Sequence, residues 1–346
     1  PNSIVFSFTG GDFSPFAIDQ INGIITVGTH LDADSDNVRE NGGLYVFTVT
    51  ATEVPPNGSI ATYNPNNQSS TQVSITETDV NDNPPVFTER NFTAVVLENT
   101  PSGVPITTTS AIEVYDRDQG INSRFWVYLE KDGVPYLDFD TIPKQNSVIQ
   151  GRSTITIRVV NSSVLDYETT KTIIFKIIAR ENNTDPNISK SSEATVILEI
   201  EDTNDNNPYF PSQQTVFNVS EDALIGHVIA NITATDDDSG DFGQIIFSLE
   251  DSGHNGEFNI SEGGQIQVAQ PLDREQSSLY SLSVVAADSP SAPTSQRRRS
   301  TLHIEISVTD VNDHAPVWTQ FIPYISILES TIIGTEITEM RAIDLD

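Results

Sequence analysis

Asp79-Val80-Asn81-Asp82-Asn83-Pro84-Pro85-Val86-Phe87 returns as Asp202-Thr203-Asn204-Asp205-Asn206-Asn207-Pro208-Tyr209-Phe210, and again as Asp310-Val311-Asn312-Asp313-His314-Ala315-Pro316-Val317-Trp318. Each copy sets two carboxylates and two or three side-chain or main-chain carbonyl oxygens within five residues, then proline, then an aromatic. Calcium takes six to eight oxygen ligands, so each copy reads as part of a calcium site. The copies stand 123 residues (Asp79 to Asp202) and 108 residues (Asp202 to Asp310) apart, a period close to one small domain. The motif therefore marks joints between units stacked in tandem. The expected units are 1–86, lacking its N-terminal strands; 87–209, with loop insertions; 210–317; and 318–346, the truncated start of a fourth.

Composition agrees with a divalent cation as partner. The 346 residues carry 49 Asp+Glu against 17 Lys+Arg, a formal charge of −32. Binding to phosphates needs the opposite sign, so nucleic acid is excluded as a partner. The carboxylates recur in fixed positions beside Asn and Gly instead of in runs, which separates this chain from a disordered acidic tail. There is no cysteine, hence no disulfide, thiol chemistry or Cys-ligated zinc. Nine N-x-S/T sequons, at Asn57, Asn67, Asn91, Asn161, Asn182, Asn187, Asn218, Asn231 and Asn259, suit a secreted surface. Neither a signal peptide nor an apolar run of membrane-spanning length is present, so the chain is expected to be a piece of the extracellular side of a longer, membrane-anchored protein.

Strands are expected immediately before each joint. Val73 and Ile75, then Ala194, Val196, Leu198 and Ile200, then Leu302, Ile304, Ile306 and Val308 alternate with polar residues, Ile197 excepted. A period of two is that of a half-buried strand. Ile4–Phe8, Phe125–Leu129, Thr172–Ile178, Val228–Thr233, Ile245–Leu249 and Leu279–Val285 read the same way, and no long stretch has helical period. The fold class is all-β, with sandwiches of roughly seven strands. In the second unit the excess length falls in two polar, turn-rich stretches, 131–153 and 181–192, expected to be loops on a constant scaffold.

Motif, period and accessory motifs together resemble the cadherin extracellular repeat, from end to end of the chain. The resemblance implies tandem Greek-key, immunoglobulin-like sandwiches forming a rod, with about three calcium ions at each complete joint. It also implies a ligand set: a Glu near the start of a repeat, an L-D-x-E turn late in it, the D-x-N-D-N linker, then D-x-D and A-x-D positions of the next repeat. The middle joint matches throughout, with Glu98, Asp166, Glu168, Asp202, Asn204, Asp205, Asn206, Asp236, Asp238 and Asp288. The first joint departs from it. Its turn is Leu31-Asp32-Ala33-Asp34 and its A-x-D is Ala179-Arg180-Glu181, beside Asp79, Asn81, Asp82, Asn83, Asp116, Asp118 and Asn122, the last placed to give a main-chain oxygen. Side chains one methylene short or long imply weaker occupancy there. The third joint has Glu221, Asp273, Glu275, Asp310, Asn312, Asp313, Asp344 and Asp346; His314 stands for the last Asn, a change of little weight if only its carbonyl binds.

Other signals are read as structural. Arg297-Arg298-Arg299 falls between two strands, as an exposed hairpin loop does. His227, His254 and His303 lack ligand or base partners at a diagnostic spacing. Trp126 and Trp318 read as core and linker packing, and Gly10-Gly11 and Gly42-Gly43 as turns. Asp116-x-Asp118-x-Gly120 has glycine where an EF-hand needs a ligand, and no nucleophile elbow occurs. The function expected is calcium-dependent adhesion or recognition at a cell surface, not catalysis. The partner is another such ectodomain or a different surface protein. The alternative is a heterophilic receptor, a toxin receptor included, or a mechanical tether.

Overall fold

The structure, a computed structural model, describes residues 3–54, 67–182, 189–250 and 255–346; the sequons at Asn57 and Asn187, and His254, lie outside them. Regular structure is almost entirely strand, and the chain divides into two compact units, Pro1–Glu201 and Asp202–Asp346.

The first unit opens with β1 (Ser3–Gly11), β2 (Phe16–Ile18), β3 (Ile25–Val27), β4 (Leu44–Val54) and β5 (Gln68–Thr76). They form an antiparallel sheet in the order β1-β4-β5 and a hairpin β2-β3. Phe16, Tyr45 and Phe47 are buried between them, with Phe8, Ile25, Val73 and Ile75 packed alongside. Phe8 and Phe47 meet edge-on with centroids 4.9 Å apart, the arrangement aromatic quadrupoles favour. Gly42-Gly43 is a turn as expected, but Gly10-Gly11 is not. The register shifts between Phe8 and Gly10 inside the β1–β4 pairing, and Gly11 (φ 86°) lies so close to the Val46 carbonyl that a Cβ would collide with it. Glycine serves there as a bulge within a strand.

The second sandwich follows in the same unit. Its strands are β6 (Val86–Phe87), β7 (Asn91–Leu97), β8 (Pro105–Ile106), β9 (Ile112–Tyr115), β10 (Arg124–Lys131), β11 (Val134–Pro135), β12 (Phe139–Ile142), β13 (Ile149–Gln150), β14 (Arg152–Val159), β15 (Thr172–Glu181) and β16 (Ser191–Glu201). One sheet runs β11-β10-β15-β16-β7, with β13 also on β10; the other runs β12-β14-β9-β6, with β8 on β14. β7 pairs with β16 in parallel, from Asn91 opposite Thr195 to Leu97 opposite Glu201. Phe92, Phe125, Leu129, Ile157, Ile177 and Leu198 close the core. At about 1.5–3 kcal/mol per fully buried apolar side chain, this is the main stabilising term.

The stretch 131–153 is not the loop insertion the polar composition suggests. It supplies β11, β12 and β13 and three core residues, Tyr136, Phe139 and Ile149. Phe139 is fully buried and stacks on Phe175 of β15, centroids 5.4 Å apart. The second stretch does lengthen a hairpin, since β15 reaches Glu181 and pairs through Arg180 with Ser191 of β16. Trp126 is not core either. The alternation that buries Phe125, Val127 and Leu129 turns it to the outer face, half-exposed.

The second unit carries β17 (Val216–Ser220), β18 (Val228–Asn231), β19 (Ile246–Leu249), β20 (Phe258–Ile260), β21 (Gln265–Val268), β22 (Leu279–Ala287) and β23 (Arg299–Thr309). Seven strands make two sheets, β17-β23-β22-β19 and β18-β21-β20. β17 again lies parallel to β23, and β19 pairs β22 antiparallel, as β1 pairs β4. Val219, Ile232, Ile266, Leu282, Val284, Ile304 and Ile306 fill the core. Beyond it, β24 (Val317–Gln320) pairs β25 (Arg341–Ile343), and Trp318 on β24 is 56% exposed.

Candidate metal centre

Each L-D-x-E turn is pinned by its leucine: Leu165 and Leu272 are buried in the two large cores, and Leu31 is half-buried. The turn's first aspartate then folds the backbone over itself. Asp166 accepts from the Thr169 N–H, Asp273 from Gln276 and Asp32 from Asp34. The Thr169 main-chain and side-chain bonds hold Asp166 below the usual carboxylate range. Behind each complete turn sits a buried glutamate: Glu98 accepts from the Tyr167 N–H and Glu221 from the Arg274 N–H, both at 2.9 Å. Glu221 also accepts from Val311 at 2.6 Å, so strand, turn and linker meet on one carboxylate.

The linkers repeat one geometry three times. The residue ending D-x-N-D-N donates its backbone N–H to the second carboxylate of D-x-D: Asn83 to Asp118, Asn206 to Asp238 and His314 to Asp346. Asp118 and Asp238 in turn donate their own N–H groups to Asp116 and Asp236. Asp79 and Asp202 accept from the residue after D-x-D, Gln119 and Ser239, at 2.8 Å. The sequence letters thus build a scaffold in which main-chain donors satisfy one oxygen of a carboxylate and leave the other.

Those other oxygens decide the chemistry. Asp79 Oδ1, Asp116 Oδ2, Asp118 Oδ2 and Glu181 Oε1 in the first unit, and Asp202 Oδ1, Asn204 Oδ1, Asp236 Oδ2 and Asp288 Oδ2 in the second, are buried with no hydrogen-bond donor. Burial of unpaired carboxylate oxygens is costly. Asp34, Asp82 and Asp118 bring carboxylate oxygens within 4.8 Å of one another, so Asp34 reaches the cluster in spite of its missing methylene. Glu221, Glu275 and Asp310 do the same, and carboxylate oxygens of Glu275, Asp313 and Asp346 gather likewise with a ring nitrogen of His314. Burial, then Asp79 and Asp118, push Asp34 up to about 7, while burial, with Asp118, Glu181 and Asp79 nearby, pushes Asp116 up to about 6. Asp118, Asp236 and Asp238 are raised for the same reason, burial first. Carboxylates gathered this way call for a cation, and donor sets built of oxygen, with a nitrogen only where His314 stands, fit calcium.

The remaining expected ligands are placed as follows. Asn122 donates its side-chain amide to Asp79 at 2.9 Å. Asn312 and Asp344 are exposed, and Asn81 and Asp82 line the first linker half-buried and exposed. Glu168 and Asp205 stand in the turn and linker positions the pattern assigns, Asp205 accepting from the Asn206 amide. His314 uses its side chain as well as its main chain. Its Nδ1 lies 2.6 Å from Asp313 and 3.1 Å from Asp346, and although burial opposes its charge, these carboxylates hold the imidazole above its ordinary range.

Comparison with known proteins gives the family and the fold. The Cadherin domain family model matches residues 215–309. Repeats EC22–24 of mouse Cadherin-23 are 32% identical and superpose with TM-score 0.63 over 77% of this chain and 79% of theirs. The chain belongs to the cadherin family. Protocadherin-like wing polarity protein stan of Drosophila melanogaster is 34% identical over 97% of this cadherin chain, and Cadherin-related family member 1 of Bos taurus 31% over 99%. The chain spans 8% and 37% of the lengths of those two relatives. The protocadherin gammaB7 EC3-6 structure, at 23% identity and TM-score 0.69, shares the fold over 99% of the chain. The family and the fold are those of adhesion proteins, not of enzymes.

The arginine run is where reading the cadherin sequence missed contacts. Arg298 donates to the Asn204 carbonyl at 3.0 Å and to the Asn207 side chain at 3.1 Å, and Arg297 to the carbonyls of Ala292 and Pro290. Arg298 thus braces the linker of its own unit and Arg297 its own hairpin, while Arg299 is exposed and donates to the Thr294 carbonyl. Acidic linkers far from the run in sequence were the only available hint.

Proposed function

We propose that this chain is part of the extracellular region of a cell-surface adhesion or recognition protein whose calcium-loaded joints hold successive repeats in fixed orientation. The repeats are taken as 1–86, 87–209, 210–317 and 318–346, with the parent protein anchored in a membrane. The observation that carries the reading is the recurrence of buried, donor-less carboxylate oxygens at the D-x-N-D-N linkers and D-x-D turns. Membership of the cadherin family and sequons exposed at Asn67, Asn91, Asn161, Asn182, Asn218, Asn231 and Asn259 support an extracellular setting. Among the described residues no helix is long and apolar enough to cross a membrane. Calcium bound by these oxygens would cancel repulsion among the carboxylates and couple linker to sandwich. Adhesive energy then resides on sandwich faces, with calcium acting through orientation.

Beads coated with the chain, in millimolar calcium and in chelator, test this. Calcium-dependent aggregation lost in Asp118→Asn and Asp238→Asn, with each sandwich still folded, is the expected result. Aggregation equal in chelator overturns the calcium role. Beads that never self-associate but bind cells in calcium point to a heterophilic receptor instead.

A further inference from the structure

We infer that Lys190 and Arg298 are positioning residues for the cation joints, each clamping a hairpin carboxylate with its main chain and the linker carbonyl with its side chain. The two lie in different sandwiches and on the same hairpin of each. Lys190 exchanges backbone contacts with Glu181, accepting from the Glu181 N–H at 3.0 Å and donating its own N–H to Oε2 at 2.8 Å. Arg298 repeats this with Asp288, at 3.2 Å and 2.8 Å. Glu181 and Asp288 are the A-x-D residues, and in both the second oxygen is left buried and donor-less. The side chains then reach the same place: Lys190 Nζ donates to Asn81 O at 3.2 Å and Arg298 Nε to Asn204 O at 3.0 Å. Asn81 and Asn204 are the equivalent third residues of their linkers, 109 and 94 positions away. Asn204 is held further, its amide donating to Ser289 Oγ at 2.7 Å, which leaves its Oδ1 donor-less.

A general counter-ion would place its charge on a carboxylate oxygen. Both tips here seat on a main-chain carbonyl, and both backbones seat on the A-x-D carboxylate. What Lys and Arg share is a cationic donor of sufficient reach, and a charged donor makes the stronger hydrogen bond. The effect is to hold two ligand-bearing segments at a fixed spacing before any ion arrives, against the repulsion of the surrounding carboxylates. Groups that orient ligands without touching the metal typically matter about 10–100-fold in affinity. The inference rests on the calcium reading proposed above, and goes beyond it in assigning a role to two residues that are not ligands.

Amide hydrogen exchange of the whole chain, in chelator and across a calcium titration, tests it with Lys190→Met, Arg298→Met, Lys190→Arg and Arg298→Lys. In chelator, Arg298→Met should speed exchange at residues 202–207 and not at 79–83, and Lys190→Met the reverse. The calcium midpoint read at the affected linker should rise about tenfold, with the cationic swaps restoring most of the loss. Unchanged exchange and midpoint, or tighter calcium binding, overturns the inference, the latter by making the residue a competing charge. If Arg298→Met loosens the β17–β23 core as well, the Lys190 pair in the other unit decides. A parent chain whose linkers gain no protection from calcium overturns the calcium reading and takes this inference with it. That failure is distinct, because it shows before any residue is changed.

Discussion

Asn83 has a single side-chain amide facing three carboxylates: it donates to Asp34 at 2.7 Å, to Asp82 at 2.7 Å and to Asp118 at 2.9 Å. Two N–H protons cannot satisfy three anionic groups, and the shortfall is what a cation would supply. Asp118→Asn should therefore act with opposite signs in two conditions. With calcium the melting temperature should fall, because a ligand is lost; in chelator it should hold or rise, because one repelling charge is gone. Thermal melts of both proteins in both conditions check it, and a fall in chelator would show that Asp118 is needed by the fold itself. A second expectation concerns protons. Asp34 and Asp116 are raised to about 7 and about 6, above an unfolded value near 3.9. Between pH 8 and 6 the folded, ion-free chain takes up protons that the unfolded chain does not, so stability in chelator should increase as pH falls through that window. Chemical denaturation at pH 8 and pH 6 measures this, with calcium expected to abolish or reverse the gain. The residues that build the linker and turn scaffold were legible, since linker, turn and D-x-D positions recur. Lys190 and Arg298 were not, because one hydrogen bond across 109 or 94 residues leaves no local pattern.

Strands with sustained alternation, such as β16 and β23, follow directly from the sequence because one face must be apolar. The segment 131–153 did not, for a definite reason. Its strands are two to four residues long, and Tyr136, Phe139 and Ile149 are separated by Pro143 and by polar residues, Asp138 and Asp140 among them, so no period accumulates. Burial had to come from tertiary contact: Phe139 lies 5.4 Å from Phe175 and 5.5 Å from Tyr136, ring to ring. If this element is core, Phe139→Ala should cost about 3–5 kcal/mol of stability. Urea unfolding gives the number, and a change under 1 kcal/mol would return the segment to the status of a surface insertion. Trp126 illustrates the same limit in reverse. Its size suggested core, but the pairing of β10 with β15 fixes its face, opposite Arg180 on the outside.

Across the whole chain, tandem organisation was readable from three copies of one motif, whereas the order of strands within each sandwich came only with the structure. That order includes a parallel pair joining the first long strand of a repeat to the last: β7 with β16, and β17 with β23. Tension entering near Asn91 pulls β7 toward its N-terminus, while tension leaving through Glu201 pulls β16 toward its C-terminus. Because the two strands point the same way, these pulls oppose each other along the strand axis, and the ladder is loaded in shear with all its bonds sharing the force. An antiparallel closing pair would peel one bond at a time. The second sandwich has seven paired positions in this ladder, Asn91 to Leu97, and the third has five, Val216 to Ser220. Pulled from its ends at constant speed, the chain should show the third sandwich yielding before the second, a rate-governed event set by the barrier and not by equilibrium stability. Equal forces, or the reverse order, would mean that rupture begins elsewhere. A ladder arranged this way lets a repeat bear an end-to-end pull without opening its core.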